Sequence, residues 1–344
     1  VNALGAVVSK GVTMEARQGN AQPRVAETPS GMLNSIGLQN IGIHRCISEM
    51  APVWAKWDVP VIVNIAGDTP DEFGEMARML DGTPGIAALE LNISCPNVDV
   101  GGMEIGQNAE VAGRAVRAAV DVTLIAGSTT NDTAHSVEMT RAAAEVGMDA
   151  VLAVVPYYNK PPQRGLIAHF ETIAKSITVP AILYNIPGRT GINFMPDSIL
   201  ELLGRAPNIV AIKEATGDIG QMMRTIELCG DRLTLLSGDD NLLLPVLAIG
   251  GKGVISVLSN VLPSDIKRIV TLFNEGKIGE SRALFYKILP LCRAMFIETN
   301  PIPVKAAMEM MGRCGGDLRL PLVRLSEDKR AILRQALLGY GVRL

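Results

Sequence analysis

The sequence predicts an α/β barrel of repeated strand–helix units, followed by a C-terminal helical part and preceded by a surplus strand. Three observations predict it. Short apolar runs alternate with amphipathic stretches through most of the chain, as parallel strands joined by crossover helices require. Glycine is frequent, with 34 residues among 344, and punctuates nearly every run. After Val257 the strand-like runs stop and only helical patterns remain.

The strand-like runs are Gly5–Val12, Val59–Ala66, Ile86–Ile93, Val122–Ala126, Ala150–Val155, Val179–Asn185, Ile209–Lys213, Leu233–Leu236 and Gly253–Val257. Between them Thr69–Leu80, Asn131–Val146, Gly165–Ser176 and Pro196–Leu203 read as helices. The first opens on Thr69-Pro70-Asp71-Glu72, a capping residue and an acidic first turn. The nine runs are one more than a (β/α)8 barrel needs. Pro263–Glu275, Gly279–Ile297, Pro303–Met311 and Ser326–Leu338 then form the helical appendage. The domains expected are an N-terminal arm over residues 1–58, a barrel over 59–262 and a helical domain over 263–344. Val59–Ala66 and Ile86–Ile93 would serve as the barrel's first two strands, leaving Gly5–Val12 outside the closed sheet.

A formal net charge of −3 leaves no electrostatic footprint for nucleic acid or an anionic membrane. No apolar run approaches the roughly 18 residues that cross a bilayer. The segment Val1–Gly5 has neither the basic start nor the apolar run of a signal peptide. Cys46, Cys95, Cys229, Cys292 and Cys314 form no Cys-x-x-Cys pair, and His44, His135 and His169 are scattered, so no metal site is expected. The composition suits a cytoplasmic protein with free thiols.

Candidate chemistry sits where apolar runs end. Ile209-Val210-Ala211-Ile212-Lys213-Glu214-Ala215-Thr216-Gly217 ends a strand in a lysine. At the C-terminal end of a barrel strand a desolvated lysine can be a neutral amine and attack a ketone. It can equally cap the strand and reach solvent. Ile182-Leu183-Tyr184-Asn185-Ile186-Pro187-Gly188-Arg189-Thr190-Gly191 offers a phenol for proton transfer and a guanidinium for a carboxylate. The bland alternatives are a packed tyrosine and a surface arginine. Val155-Pro156-Tyr157-Tyr158-Asn159-Lys160-Pro161 places two aromatics at a strand end, for core packing or an interface. Leu235-Leu236-Ser237-Gly238-Asp239-Asp240 and Gly253-Val254-Ile255-Ser256-Val257 end in stretches where backbone can approach a small ligand.

Together these motifs resemble the dihydrodipicolinate synthase family over roughly residues 122–344. The likeness takes in Glu298-Thr299-Asn300-Pro301-Ile302-Pro303-Val304-Lys305 and Leu318-Arg319-Leu320-Pro321-Leu322. It implies a pyruvate-dependent Schiff-base lyase, a class I aldolase condensing pyruvate with aspartate semialdehyde in lysine biosynthesis. Lys213 would form the imine, Tyr184 would shuttle the proton, and Tyr158 would extend the relay across a subunit interface. Arg189 would bind the semialdehyde carboxylate, and Gly238 and Ile255 would line the pyruvate site. The resemblance implies no cofactor or metal, and a homo-oligomer, dimer or tetramer.

The N-terminal part departs from that family, whose first two strands carry a Gly-Thr-Thr-Gly-Glu loop absent here. Residues 5 to about 120 instead resemble the N-terminal half of dihydroorotate dehydrogenase. The likeness rests on Val7-Val8-Ser9-Lys10-Gly11-Val12-Thr13, Pro23-Arg24-Val25-Ala26-Glu27-Thr28, Gly31-Met32-Leu33-Asn34-Ser35-Ile36-Gly37-Leu38-Gln39-Asn40, Val61-Ile62-Val63-Asn64-Ile65-Ala66-Gly67 and Glu90-Leu91-Asn92-Ile93-Ser94-Cys95-Pro96-Asn97. It implies that Lys10, Asn34, Asn92 and Asn97 descend from a flavin and orotate site, with Cys95 as its base. That family's later flavin-phosphate loops have no counterpart here, so these residues read as relics. The chain therefore reads as a fusion joined near 118–123. The alternatives are an FMN-dependent dihydroorotate dehydrogenase and an inactive fusion product. In the fusion, Asn92–Asn97 stands where the threonine loop should be, with Ser94 or Asn97 as substitute hydroxyl or amide.

Overall fold

The structure, a computed structural model, describes residues 6–28, 31–93, 109–119 and 123–344. It divides into two compact units, one of residues 1–125 and 142–149, the other of 126–141 and 150–344.

In the first unit, β1 (Val7–Val8), β4 (Val61–Ile65) and β5 (Ala88–Leu91) form a three-stranded parallel sheet in the order β1-β4-β5. Val7 pairs with Val61, and Ile62 with Ala88. β4 buries an apolar face of Val61, Val63 and Ile65, while its other face carries Ile62 and the hydrogen-bonded Asn64. β1 is bonded along one edge only among the described residues, so the surplus strand is an edge strand of this sheet. The helix Pro70–Leu80 begins where the sequence calls for it: the Thr69 side chain accepts the Glu72 N–H at 3.4 Å, with Asp71 and Glu72 in the positive first turn. Its Phe73, Met76, Ala77 and Leu80 lie at helical spacing and are buried. Gly74 lets the helix Ala109–Ala119 approach, since a Cβ there would meet the Ala118 carbonyl at 2.6 Å. Ile43, Cys46 and Trp54 close this core from a broken helical segment, residues 43–54. Nothing in the expected helices and strands above covers that segment. Nor do they cover an antiparallel pair, β2 (Val25–Thr28) with β3 (Gly31–Asn34).

In the second unit the remaining strands form one parallel sheet in chain order. They are β6 (Ile125–Gly127), β7 (Ala150–Val154), β8 (Ala181–Asn185), β9 (Ile209–Glu214), β10 (Thr234–Ser237) and β11 (Gly253–Val254). The helices Thr133–Glu145, Gln163–Lys175, Pro196–Leu203, Ile219–Cys229 and Leu243–Ala248 separate them. This is the strand–helix rhythm of an α/β TIM barrel. Four further helices follow, Pro263–Asn274, Ile278–Ala294, Ile302–Met310 and Glu327–Tyr340. They share one core, in which Ile269, Ile288, Met295, Ala307, Leu333 and Leu337 are fully buried. Each buried leucine or isoleucine there contributes about 1.5–3 kcal/mol. Among the described residues, no helix is long and apolar enough to cross a membrane.

Register in this sheet fixes what faces what. Tyr184 pairs with Lys213, and Asn185 with Glu214, on β8 and β9. Lys213 in turn pairs with Leu236, and Glu214 with Ser237, on β9 and β10. Successive side chains on a strand take opposite faces. Ala150, Ile182 and Ala211 cluster on one face with Leu152. Tyr184 and Lys213, two residues beyond Ile182 and Ala211, project from that same face. Asn185 and Glu214 project from the other.

Candidate active site

The apolar run Ile209–Ile212 carries Lys213 to the end of β9, where the chain turns at Ala215-Thr216-Gly217. The Lys213 ammonium position lies 4.1 Å from the centroid of the Tyr184 ring. Two effects oppose each other there. The ring face favours a cation, while burial penalises it. Burial wins: it pushes the Lys213 amine below the usual lysine range, helped by Arg189 and opposed by Asp239 and Asp240. Burial likewise raises the Tyr184 phenol, so the hydroxyl keeps its proton at neutral pH. The half-buried Asp239 carboxyl is also raised, first by burial and then by Asp240, while Lys213 draws it down.

A cavity of about 460 Å³ opens over Lys213. Ile255, Ser256 and Asn260 line it from the β11 end, and Asn300, Lys305 and Cys314 from the helical part. The Ile255 N–H donates to the Ser237 carbonyl at 2.9 Å, which ties the cavity wall to β10. Gly238 is required by space rather than by backbone angle. A Cβ there would sit 2.6 Å from Ala215 Cβ and 3.3 Å from Lys213 Cε. Beneath the wall, buried Asp240 accepts the Val257 and Leu258 N–H groups through Oδ2, both at 3.0 Å.

Arg189 lies in the short helical turn Pro187–Thr190 beyond β8 and donates through Nη2 to the Asn300 carbonyl at 3.0 Å. Tyr158 is 89% exposed, with a backbone φ of 73°. A non-glycine residue in the left-handed region costs on the order of 1–3 kcal/mol and clusters at functional sites. Lys213, Tyr184, Gly238 and Ile255 are therefore brought together, Arg189 stands at a loop bonded to the helical part, and Tyr158 faces outward.

Of the flavin-type residues, Lys10 is exposed and Asn34 pairs through its backbone with Val25. Asn92 donates to Asn64 Oδ1 at 3.3 Å, and Asn64 to Glu90 Oε1 at 2.9 Å. Ser94, Cys95 and Asn97 lie outside the described residues. Burial raises the thiols of Cys46, Cys229 and Cys292, the last to about 12, so none of these three is a thiolate at neutral pH. Among the described residues, no three His, Cys, Asp or Glu side chains are grouped to hold a metal.

Known proteins bear on this geometry. The model of the Dihydrodipicolinate synthetase family matches residues 100–338. The chain belongs to that family. It is a lyase of the dihydrodipicolinate synthase type, and its fold is the α/β TIM barrel with a helical C-terminal part. The 4-hydroxy-tetrahydrodipicolinate synthase of Syntrophus aciditrophicus is 47% identical over 233 residues, which are 68% of this chain and 79% of that protein. The synthase of Syntrophobacter fumaroxidans is 49% identical over 222 residues, covering 64% and 76%. The crystal structure of dihydrodipicolinate synthase from Aquifex aeolicus superposes with a TM-score of 0.67 at 31% identity, covering 99% of each chain. A dihydrodipicolinate synthase from Acinetobacter baumannii, solved with pyruvate, gives 0.65 at 28% identity, over 98% of this chain and 99% of that one. A second family model, dihydroorotate dehydrogenase, matches residues 1–160. Residues 100–160 are matched by both models.

Glu214, Asn185, Asp239, Asp240 and Asn300 stand in the sequence motifs above without a role assigned to them. A signal was available for Glu214: it is a carboxylate directly after four apolar residues and the lysine of β9.

Proposed function

We propose that the chain condenses pyruvate with aspartate semialdehyde, the reaction of the lysine-pathway 4-hydroxy-tetrahydrodipicolinate synthases, with Lys213 as the imine-forming lysine. The observation that carries this reading is the pairing of a half-buried lysine, its amine pKa depressed, with a tyrosine ring centred 4.1 Å away. The neutral amine adds to the keto carbon. The carbonyl oxygen leaves as water with two protons, and a C=N bond replaces C=O. Loss of a methyl proton gives an enamine carbon that attacks the aldehyde, whose oxygen takes a proton. Tyr184, whose hydroxyl keeps its proton at neutral pH, moves these protons. Gly238 and the Ile255 backbone border the pyruvate. Arg189 receives the semialdehyde carboxylate, exchanging its bond to the Asn300 carbonyl for a bidentate one. Imine chemistry of this kind requires no organic cofactor or metal. Tyr158 extends the relay across a subunit contact of a homo-oligomer, a role that suits its exposure and left-handed backbone.

Turnover falls below that of the family's intact members, because the chain has no Gly-Thr-Thr-Gly-Glu loop. Positioned proton transfer is worth about 10²–10⁴-fold. Lys10, Asn34, Asn92, Cys95 and Asn97 are relics of a flavin site, and the junction near 118–123 falls inside the stretch that both family models match. We place the barrel at residues 59–262 and the helical domain at 263–344; residues 1–58, rather than standing apart as an arm, pair β1 with β4 and pack residues 43–54 in the same core. The test is turnover of pyruvate with aspartate semialdehyde by the full chain and by Lys213→Ala. Slow product formation abolished by the substitution is expected. Equal rates in the two proteins refute Lys213 as the reacting group.

A further inference from the structure

The carboxylate next to the lysine faces away from the cavity, yet it is bonded to the residue that follows Tyr184 and to the turn that follows Lys213. Glu214 is fully buried. A carboxylate in that position is costly unless it is hydrogen-bonded. Its Oε1 and Oε2 accept from Asn185 Nδ2 at 3.3 and 3.2 Å, and Oε1 also accepts the Thr216 N–H at 3.0 Å. Asn185 follows Tyr184 on β8 and is itself fully buried. Thr216 lies in the turn directly beyond Lys213.

From Asn185 the bonds run on into the loop that carries Arg189. Asn185 Nδ2 donates to Asn193 Oδ1 at 2.8 Å, and Asn185 Oδ1 accepts the Phe194 N–H at 3.1 Å. Asn193 Nδ2 donates to Gln221 Oε1 at 2.7 Å, which anchors the network on the helix Ile219–Cys229. The Glu214 carbonyl accepts the Gly238 N–H at 2.7 Å, so β10 is held at the same level.

We infer that Glu214 is a positioning residue for the imine chemistry: through Asn185 and Thr216 it sets the mutual placement of Lys213, Tyr184 and the Arg189 loop. The inference rests on the reading of Lys213 as the imine-forming lysine. Packing alone would be served by any side chain of similar volume. Here the carboxylate joins two adjacent strand ends one residue beyond the lysine–tyrosine pair. A misplacement of 1 Å at a reacting group can cost about 10²-fold in rate.

The test is the single-turnover rate at which borohydride traps pyruvate on Lys213, together with kcat and the pyruvate KM, in Glu214→Gln, Asn185→Ala and the double variant. Rates are taken per folded molecule, as counted by near-ultraviolet circular dichroism. Glu214→Gln is expected to slow trapping and kcat by about 10- to 100-fold with the pyruvate KM changed less than about threefold. The double variant should be little slower than the worse single one, because Glu214→Gln weakens, by turning one acceptor oxygen into an amide, the same link that Asn185→Ala removes. Should Glu214→Gln fail to fold, Gln221→Ala loosens the same network from its outer end, and a several-fold fall in trapping at unchanged KM is expected. Trapping within twofold of the unaltered protein in folded Glu214→Gln overturns the inference. So does a loss carried wholly by KM, or one that adds in full to that of Asn185→Ala. Absence of any adduct in the unaltered protein overturns the Lys213 reading instead, and this inference with it.

Discussion

Gly238→Ala is the smallest change that should disable the lysine without touching it. The added methyl would sit 2.6 Å from Ala215 Cβ, 3.3 Å from Lys213 Cε and 3.3 Å from the Glu214 carbonyl. Contact at 2.6 Å is closer than side-chain carbons approach, and two of the three neighbours belong to the end of β9. The strand ends must separate, which strains the 2.7 Å bond from the Gly238 N–H to the Glu214 carbonyl. Inserting one methyl into such a packed place costs about 1–3 kcal/mol. At about 2–4 °C per kcal/mol for a domain of roughly 150–250 residues, the midpoint should fall by a few degrees. The chemical effect should be larger than the thermal one. Displacing Lys213 Cε by several tenths of an ångström moves the amine against Tyr184, and pyruvate trapping should slow by about 10²-fold in protein that is still folded at 25 °C. Thermal melts and borohydride trapping, run on the same preparation, read the two effects separately. An unchanged midpoint with unchanged trapping would refute the packing argument and the placement of β10 beside the lysine.

Other perturbations follow from the same geometry. Tyr184→Phe keeps the ring under Lys213 and removes the hydroxyl, so turnover should fall by about 10²–10⁴-fold while Lys213 still traps pyruvate; an unslowed variant removes Tyr184 from the proton path. Arg189→Leu should raise the KM for the semialdehyde at least tenfold and leave pyruvate trapping near normal, a split visible by varying each substrate in turn. His169 is buried, shares a 2.8 Å hydrogen bond with Thr133 Oγ1, and has its pKa pushed down from an ordinary 6.5 to about 4, chiefly by burial. Between those values the unfolded chain holds the extra proton, so stability falls as pH drops from about 6.5 to about 4, by roughly 3 kcal/mol in all. Urea melts across that range should show the slope, and His169→Gln should flatten it. Added FMN should leave the melting temperature unmoved if the N-terminal residues are relics, whereas a concentration-dependent rise would argue for a working flavin site.

The sequence was most informative where period and punctuation are local. Each of the nine expected strand runs overlaps an observed strand, because an apolar run bounded by glycine or proline leaves few alternatives. The helix at Pro70 was legible from Thr69 and its acidic first turn for the same reason. The pair β2–β3 was harder to read, since Val25-Ala26-Glu27-Thr28 and Gly31-Met32-Leu33-Asn34 are short and poor in β-branched residues. Residues 43–54 defeat periodicity because three short helical pieces follow one another with Pro52 inside. The strand ends that carry Lys213, Tyr184, Gly238 and Ile255 were legible, and the fold brings these residues together. The partners of Glu214 could not be read in the same way: Asn185 is 29 residues away in sequence, and only the β8–β9 register sets it opposite. Tyr158 shows the converse. Its motif is plain in the sequence, but in a single chain the side chain faces outward.

The central claim is that Lys213 is a chemically competent amine at a pyruvate site. Borohydride reduction of the full chain with pyruvate, followed by peptide mass mapping, addresses it directly. The account predicts one added reduced-pyruvate mass, confined to the peptide containing Lys213, and absent from Lys213→Ala. Folded protein that gains no such mass, or gains it equally on other lysines, would contradict the account.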